Sequence, residues 1–90
     1  MFHIVYLLQS EKDEGFYIGY TKNIKKRLKE HNQGLNLSTK HSKPWELIFF
    51  EGYINQKDAR RRERYLKTSQ GSRLLQRMIK EYLFENKKVM

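Results

Sequence analysis

Arg27 and His31 lie one helical turn apart in the segment Ile-Lys-Lys-Arg-Leu-Lys-Glu-His-Asn, residues 24–32. On a helix, residues three and four apart share a face, so both flank the apolar pair Ile24 and Leu28. Arginine there presents a planar fork matched to phosphate, and histidine titrates near neutral pH and can move a proton. The same positions also suit a snorkelling arginine and a histidine that complements the helix C-terminus. Glu63 is the second unusual placement. Ala59 and Leu66 mark the inner stripe of a second helical segment, and Glu63 falls between them. A carboxylate on that stripe is costly unless it is paired or bound to a metal. It can be an internal salt bridge to a neighbouring arginine, a metal ligand or a general base. A single glutamate suits Mg²⁺, which keeps most of its waters and takes one or two carboxylates plus substrate phosphate oxygens. Tyr6 and Tyr17 can approach each other if their segments pair antiparallel. Six tyrosines in the chain make residue type alone a weak signal.

The elements that must position these residues are legible in the pattern. Residues 3–9 are β-branched and aromatic and predict a strand; residues 16–20 predict its hairpin partner across the polar turn 10–15. Gly19 interrupts the second strand, which suggests a bulge or a close approach by backbone or ligand. Thr21 or Asn23 caps a first helix to about residue 32, and Gly34 stops it. A polar, irregular stretch covers 35–43. Residues 45–53 predict a third strand. Asn55 caps a second helix of about twelve residues, with Asp58 near its N-terminus. Ser69, Gln70 and Gly71 break it, and a third helix runs from about Ser72 to Phe84 on the apolar stripe of Leu74, Leu75, Met78, Ile79, Tyr82 and Leu83. The order β-β-α-β-α-α predicts an α+β fold with a small three-stranded antiparallel sheet flanked by helices. One domain over residues 1–84 and a tail over 85–90 are expected.

Composition bounds the function. Nineteen Lys and Arg against ten Asp and Glu give a net charge of +9. Such a surplus favours polyanions, because each phosphate contact releases condensed counterions. Lys22, Lys25, Lys26 and Lys29 on the first helix, with Arg60, Arg61 and Arg64 on the second, form the expected nucleic-acid rim. The chain has no cysteine, which excludes disulfides and thiolate metal sites. The longest apolar runs, residues 4–8 and 47–50, are too short to span a membrane, and the N-terminus lacks a signal-peptide layout. A cytoplasmic location, nucleoid-associated if bacterial, is expected. Glycine-rich phosphate loops, His-Glu-x-x-His and serine nucleophile elbows are absent.

Taken together, Val5-Tyr6, Tyr17-Ile18-Gly19, Arg27, His31 and Glu63, in that order and spacing, resemble the GIY-YIG nuclease superfamily. The stretches 27–32, followed by Gly34, and 61–67 are similar to its small stand-alone bacterial branch, itself similar to the nuclease domain of the excision-repair endonuclease. The first motif reads Ile4-Val5-Tyr6, without the glycine that names the family, and Asn86 takes no assigned role. The resemblance implies hydrolysis of a DNA phosphodiester with one divalent ion, Mg²⁺ or Mn²⁺. It implies that Glu63 holds the metal and Arg27 stabilises the scissile phosphate. It further implies that Tyr6 and Tyr17 line the site, one positioning or activating water, that His31 assists proton transfer, and that Gly19 allows close packing. No appended DNA-binding domain is apparent, so selection by DNA structure, in repair or recombination, is the expectation. DNA is the expected partner, with RNA and a protein partner left open and no membrane. Two rivals remain: a non-catalytic nucleic-acid-binding module on the same fold, and a protein-interaction domain in which Glu63 pairs with Arg27.

Overall fold

Strand β1 (His3–Ser10) is buried on both of its faces. Val5 and Leu7 point to one side, Tyr6 and Leu8 to the other, as the two-residue period of a strand requires. Burial on both sides is the environment of a central strand. In the computed structural model, which describes residues 1–85, β1 pairs antiparallel with β2 (Phe16–Thr21) on one side and β3 (Trp45–Tyr53) on the other. The sheet is three-stranded with order β2-β1-β3.

Helix α1 (Ile24–Asn32) starts where the Asn23 side chain accepts the Lys26 backbone N–H, which satisfies one donor left free by the first turn. Its Ile24 and Leu28 cover the Tyr6–Leu8 face of the sheet together with Trp45. Helix α2 (Gln56–Leu66) is capped by Asn55 in the same way and carries Asp58 in its first turn. Helices α2 and α3 (Ser69–Met78) cover the Val5–Leu7 face with Ala59, Leu66 and Leu75. Removing a side chain such as Leu66 fully from water contributes roughly 2 kcal/mol. A short α4 (Lys80–Glu85) follows. The architecture is the expected α+β fold, a three-stranded antiparallel sheet flanked by helices. No helix among the described residues is long and apolar enough to cross a membrane.

Three local expectations change. Ser69, Gln70 and Gly71 do not break the helical region; they form the first turn of α3, because the Thr68 hydroxyl accepts the Gly71 N–H and caps it. Gly71 is required for packing there, since a Cβ would overlap the Tyr65 carbonyl and the Leu66 backbone. The expected third helix is interrupted at Ile79, so residues 69–85 form two helices. The irregularity suggested at Gly19 falls elsewhere: β1 pairs Leu7 with Phe49 but Leu8 with Leu47, which leaves Ile48 as the extra residue of a bulge in β3. Asn86 and all of the expected tail except Glu85 lie outside the described residues.

Candidate active site

The site forms around the phenol of Tyr6. Tyr6 projects from the central strand toward the β2 edge, and Gly19 is its partner in the β1–β2 register. A Cβ at Gly19 would overlap the Tyr6 hydroxyl and Cζ. Glycine is therefore what lets the ring lie across the edge strand with its oxygen beyond β1. Tyr17, two residues earlier on β2, shares that face and brings its ring centroid to 6.4 Å from that of Tyr6. Its ring also lies 5.0 Å from His31 and 6.3 Å from Trp45.

His31 closes the cluster from the last turn of α1. It is 0% exposed. Its Nε2 stands 2.9 Å from the Tyr6 hydroxyl, and its Nδ1 stands 2.7 Å from Thr39 Oγ1. The network assigns the tautomer. The Thr39 hydroxyl can donate to the Asn36 carbonyl, so Nδ1–H donates to Thr39 and Nε2 is left to accept the Tyr6 proton. Burial pushes the His31 pKa down to about 4, with Arg27 pushing the same way and Glu30 opposing. The imidazole is thus neutral and basic at physiological pH. Burial likewise pushes Tyr6 up to about 12, reinforced by the charges of Tyr17 and Glu63. Arg27 sits beside the phenol and pulls its pKa back down. Arg27 is half-buried and anchored by Glu30 at 3.1 Å.

Glu63 approaches from the helix on the opposite face of the sheet. Its side chain is 12% exposed and its two oxygens are held by Arg60 at 3.2 Å and Lys67 at 3.1 Å. Its charge acts on Tyr6, which places it on the same cluster rather than apart from it. Arg60 also stacks over the Tyr20 ring at 3.9 Å, and Arg61 pairs with Asp58. Lys22, Lys25, Lys26, Lys29 and Arg64 are exposed and form no ion pair among the described residues.

Two contributors were not legible in the sequence. Thr39 lies in the stretch expected to be polar and irregular, yet it is fully buried; its hydroxyl orients His31 and its carbonyl accepts the Trp45 indole N–H at 2.9 Å. The Asn32 amide clamps the same region, accepting the Trp45 N–H at 2.5 Å and donating to the Trp45 carbonyl at 3.1 Å. Neither carries a periodic signal, because both act on backbone that is neither helix nor strand. Their only trace is the asparagine that ends the first helical segment.

A family profile described as the GIY-YIG catalytic domain matches residues 2–87. The chain belongs to the GIY-YIG family. It is 38% identical over 86 residues to a UPF0213 protein of Clostridium perfringens, covering 90% of this chain and 91% of that one. It is 37% identical over 87 residues to the UPF0213 protein YazA of Bacillus subtilis, covering 96% and 81% respectively. The solution NMR structure of a UPF0213 protein from Bacillus halodurans is similar in fold, with TM-score 0.55 and 27% identity over 87% of this chain and 85% of that one. The resemblance to a small stand-alone bacterial branch is thereby shown.

GIY-YIG nucleases generally use divalent metals. Among the described residues no group of three or more histidines and acids converges, so the donors do not form a closed cage. Glu63 offers hard carboxylate oxygens near Tyr6, which fits an ion that keeps a water shell. Arg60 and Lys67, the cations now on those oxygens, are about half exposed and flexible, so they can give way to an ion. The residues fit a metal in that single-ligand sense.

Proposed function

We propose that the protein is a Mg²⁺- or Mn²⁺-dependent endonuclease that hydrolyses DNA phosphodiester bonds, selecting substrates by structure, in repair or recombination. The observation that carries this reading is the Tyr6 phenol set between a cation and a neutral base: Arg27 beside its oxygen and His31 Nε2 at 2.9 Å. A phenol with a pKa near 12 is a poor base by itself. Donating its proton to His31 as it takes one from water relieves that difficulty, and Thr39 supports the imidazolium that results. Arg27 supplies a fixed positive charge for the phenolate and for the phosphate that approaches it. Bound at Glu63, a metal would polarise the phosphoryl oxygen and acidify its water. Tyr17 walls the site, and the lysines of α1 supply a basic rim.

The test is cleavage of branched, flapped and duplex DNA, with an RNA arm, by wild type and Glu63→Ala with Mg²⁺ or Mn²⁺. The expected result is cleavage by wild type only, with DNA binding retained by the variant. Equal cleavage by both would remove Glu63 from the chemistry. One observation favours a second reading, a non-catalytic nucleic-acid-binding module: both Glu63 oxygens are neutralised by Arg60 and Lys67. That reading requires salt-sensitive binding and no metal-dependent cleavage of any of these substrates.

A further inference from the structure

The cations of this protein are not electrically alike. In α2, Arg60, Arg61 and Arg62 are tied to Glu63, Asp58 and Glu51. Arg73, Arg77 and Lys80, on α3 and the start of α4, form no ion pair among the described residues. Their spacing of four and three residues puts them in one stripe. Leu75 packs into the core beside Val5 and Leu7, so the stripe faces away from the sheet. With Gln76 and Leu83 these three side chains line a groove of about 360 Å³. Glu81 and Glu85, the acids of α4, do not line it.

We infer that the Arg73–Arg77–Lys80 groove binds the phosphate backbone of a second nucleic-acid arm, apart from the strand held at Tyr6. The inference rests on the proposed action on nucleic acid and adds a geometry to it. The Tyr6 cluster and α1 lie on one face of the sheet, α3 on the other. A straight duplex seated against α1 cannot also touch the outer side of α3; a branched or bent one can. Two guanidinium forks with an ammonium between helical turns match phosphate oxygens along a strand. An acidic protein or an anionic lipid surface could also meet these charges, but only one apolar side chain, Leu83, lines the groove.

The experiment compares wild type with the Arg73→Ala/Arg77→Ala/Lys80→Ala variant, and with Arg77→Glu as a single charge reversal. These positions are exposed or lie on the outer stripe, and melting curves verify the fold. Each protein is titrated across a salt series with a four-way DNA junction and with a short duplex of about 10 base pairs, one helical turn. Junction affinity should fall at least about tenfold, with the slope of log K against log salt reduced by about 2 to 3 in the triple variant. Affinity for the short duplex should stay within about twofold, a contrast that follows from engaging one face only. Unchanged junction affinity and slope would overturn the second surface while leaving the Tyr6 site standing. So would equal loss on both probes, or loss seen only on vesicles of anionic lipid. Absence of nucleic-acid binding by wild type would instead overturn the functional reading itself.

Discussion

At the scale of single residues, the candidate chemistry depends on a histidine that is kept uncharged. His31 has an ordinary pKa of 6.5 and is held near 4 in the folded chain, mainly by burial. A lowered folded value means that the unfolded chain binds more protons between these two limits, so stability rises with pH across that window. The contribution is fully present above about pH 6.5 and is lost as pH falls toward 4, and roughly 3 kcal/mol is its upper scale. Urea unfolding at neutral pH and near pH 5 should show this loss, and His31→Gln should flatten it. A His31→Gln variant with the same pH slope would assign the acid sensitivity to another group. The sequence revealed the pairing of Arg27 with His31 because helical spacing places both on one face. It did not reveal Thr39, whose role depends on the path of a loop that no periodic pattern constrains.

At the scale of elements, strands and helix starts were readable because their signals are local: alternating apolar residues, and an asparagine ahead of each of α1 and α2. The junction of α2 and α3 was not. A glycine after Ser-Gln ordinarily reads as a stop, but here it permits two helices to meet at backbone distance. This gives an expectation opposite in sign to helix propensity. Alanine at an unhindered helical glycine stabilises by up to about 1 kcal/mol. Gly71→Ala should instead destabilise by about 2–3 kcal/mol, because its Cβ meets the Tyr65 carbonyl and Leu66 Cα. Chemical denaturation measures it, and a stabilised variant would mean that the junction relaxes freely. Gly19 shows the complementary case. The sequence marked it as a close approach, and the approaching group is the side chain of Tyr6 rather than backbone.

At the scale of the whole molecule, the net charge of +9 sets affinity and its salt dependence together. The α1 lysines Lys22, Lys25, Lys26 and Lys29 carry free charge, whereas Arg60 and Arg61 spend theirs on acids of their own helix. If four lysines each neutralise one phosphate, duplex affinity should fall on the order of a hundredfold between about 50 and about 200 mM salt. Fluorescence anisotropy across that range checks it, and a flat response would exclude backbone recognition. Replacing Lys25 and Lys26 with alanine should reduce the slope by about 2, while Arg61→Ala should scarcely change it. Overall charge was visible from composition; which charges remain available was not, because pairing depends on rotamers and on strands distant in sequence, as with Glu51 and Arg62.

Trp45 is the only tryptophan in the chain, and it is buried with its indole N–H on the Thr39 carbonyl. The molecule therefore carries an intrinsic fluorophore wired to the loop that orients His31. Its emission reports on one place alone, with no background from another indole. Any event that shifts Thr39, whether protonation of His31 or arrival of a phosphate at Tyr6, alters the polarity around the ring and can be followed in real time without a label.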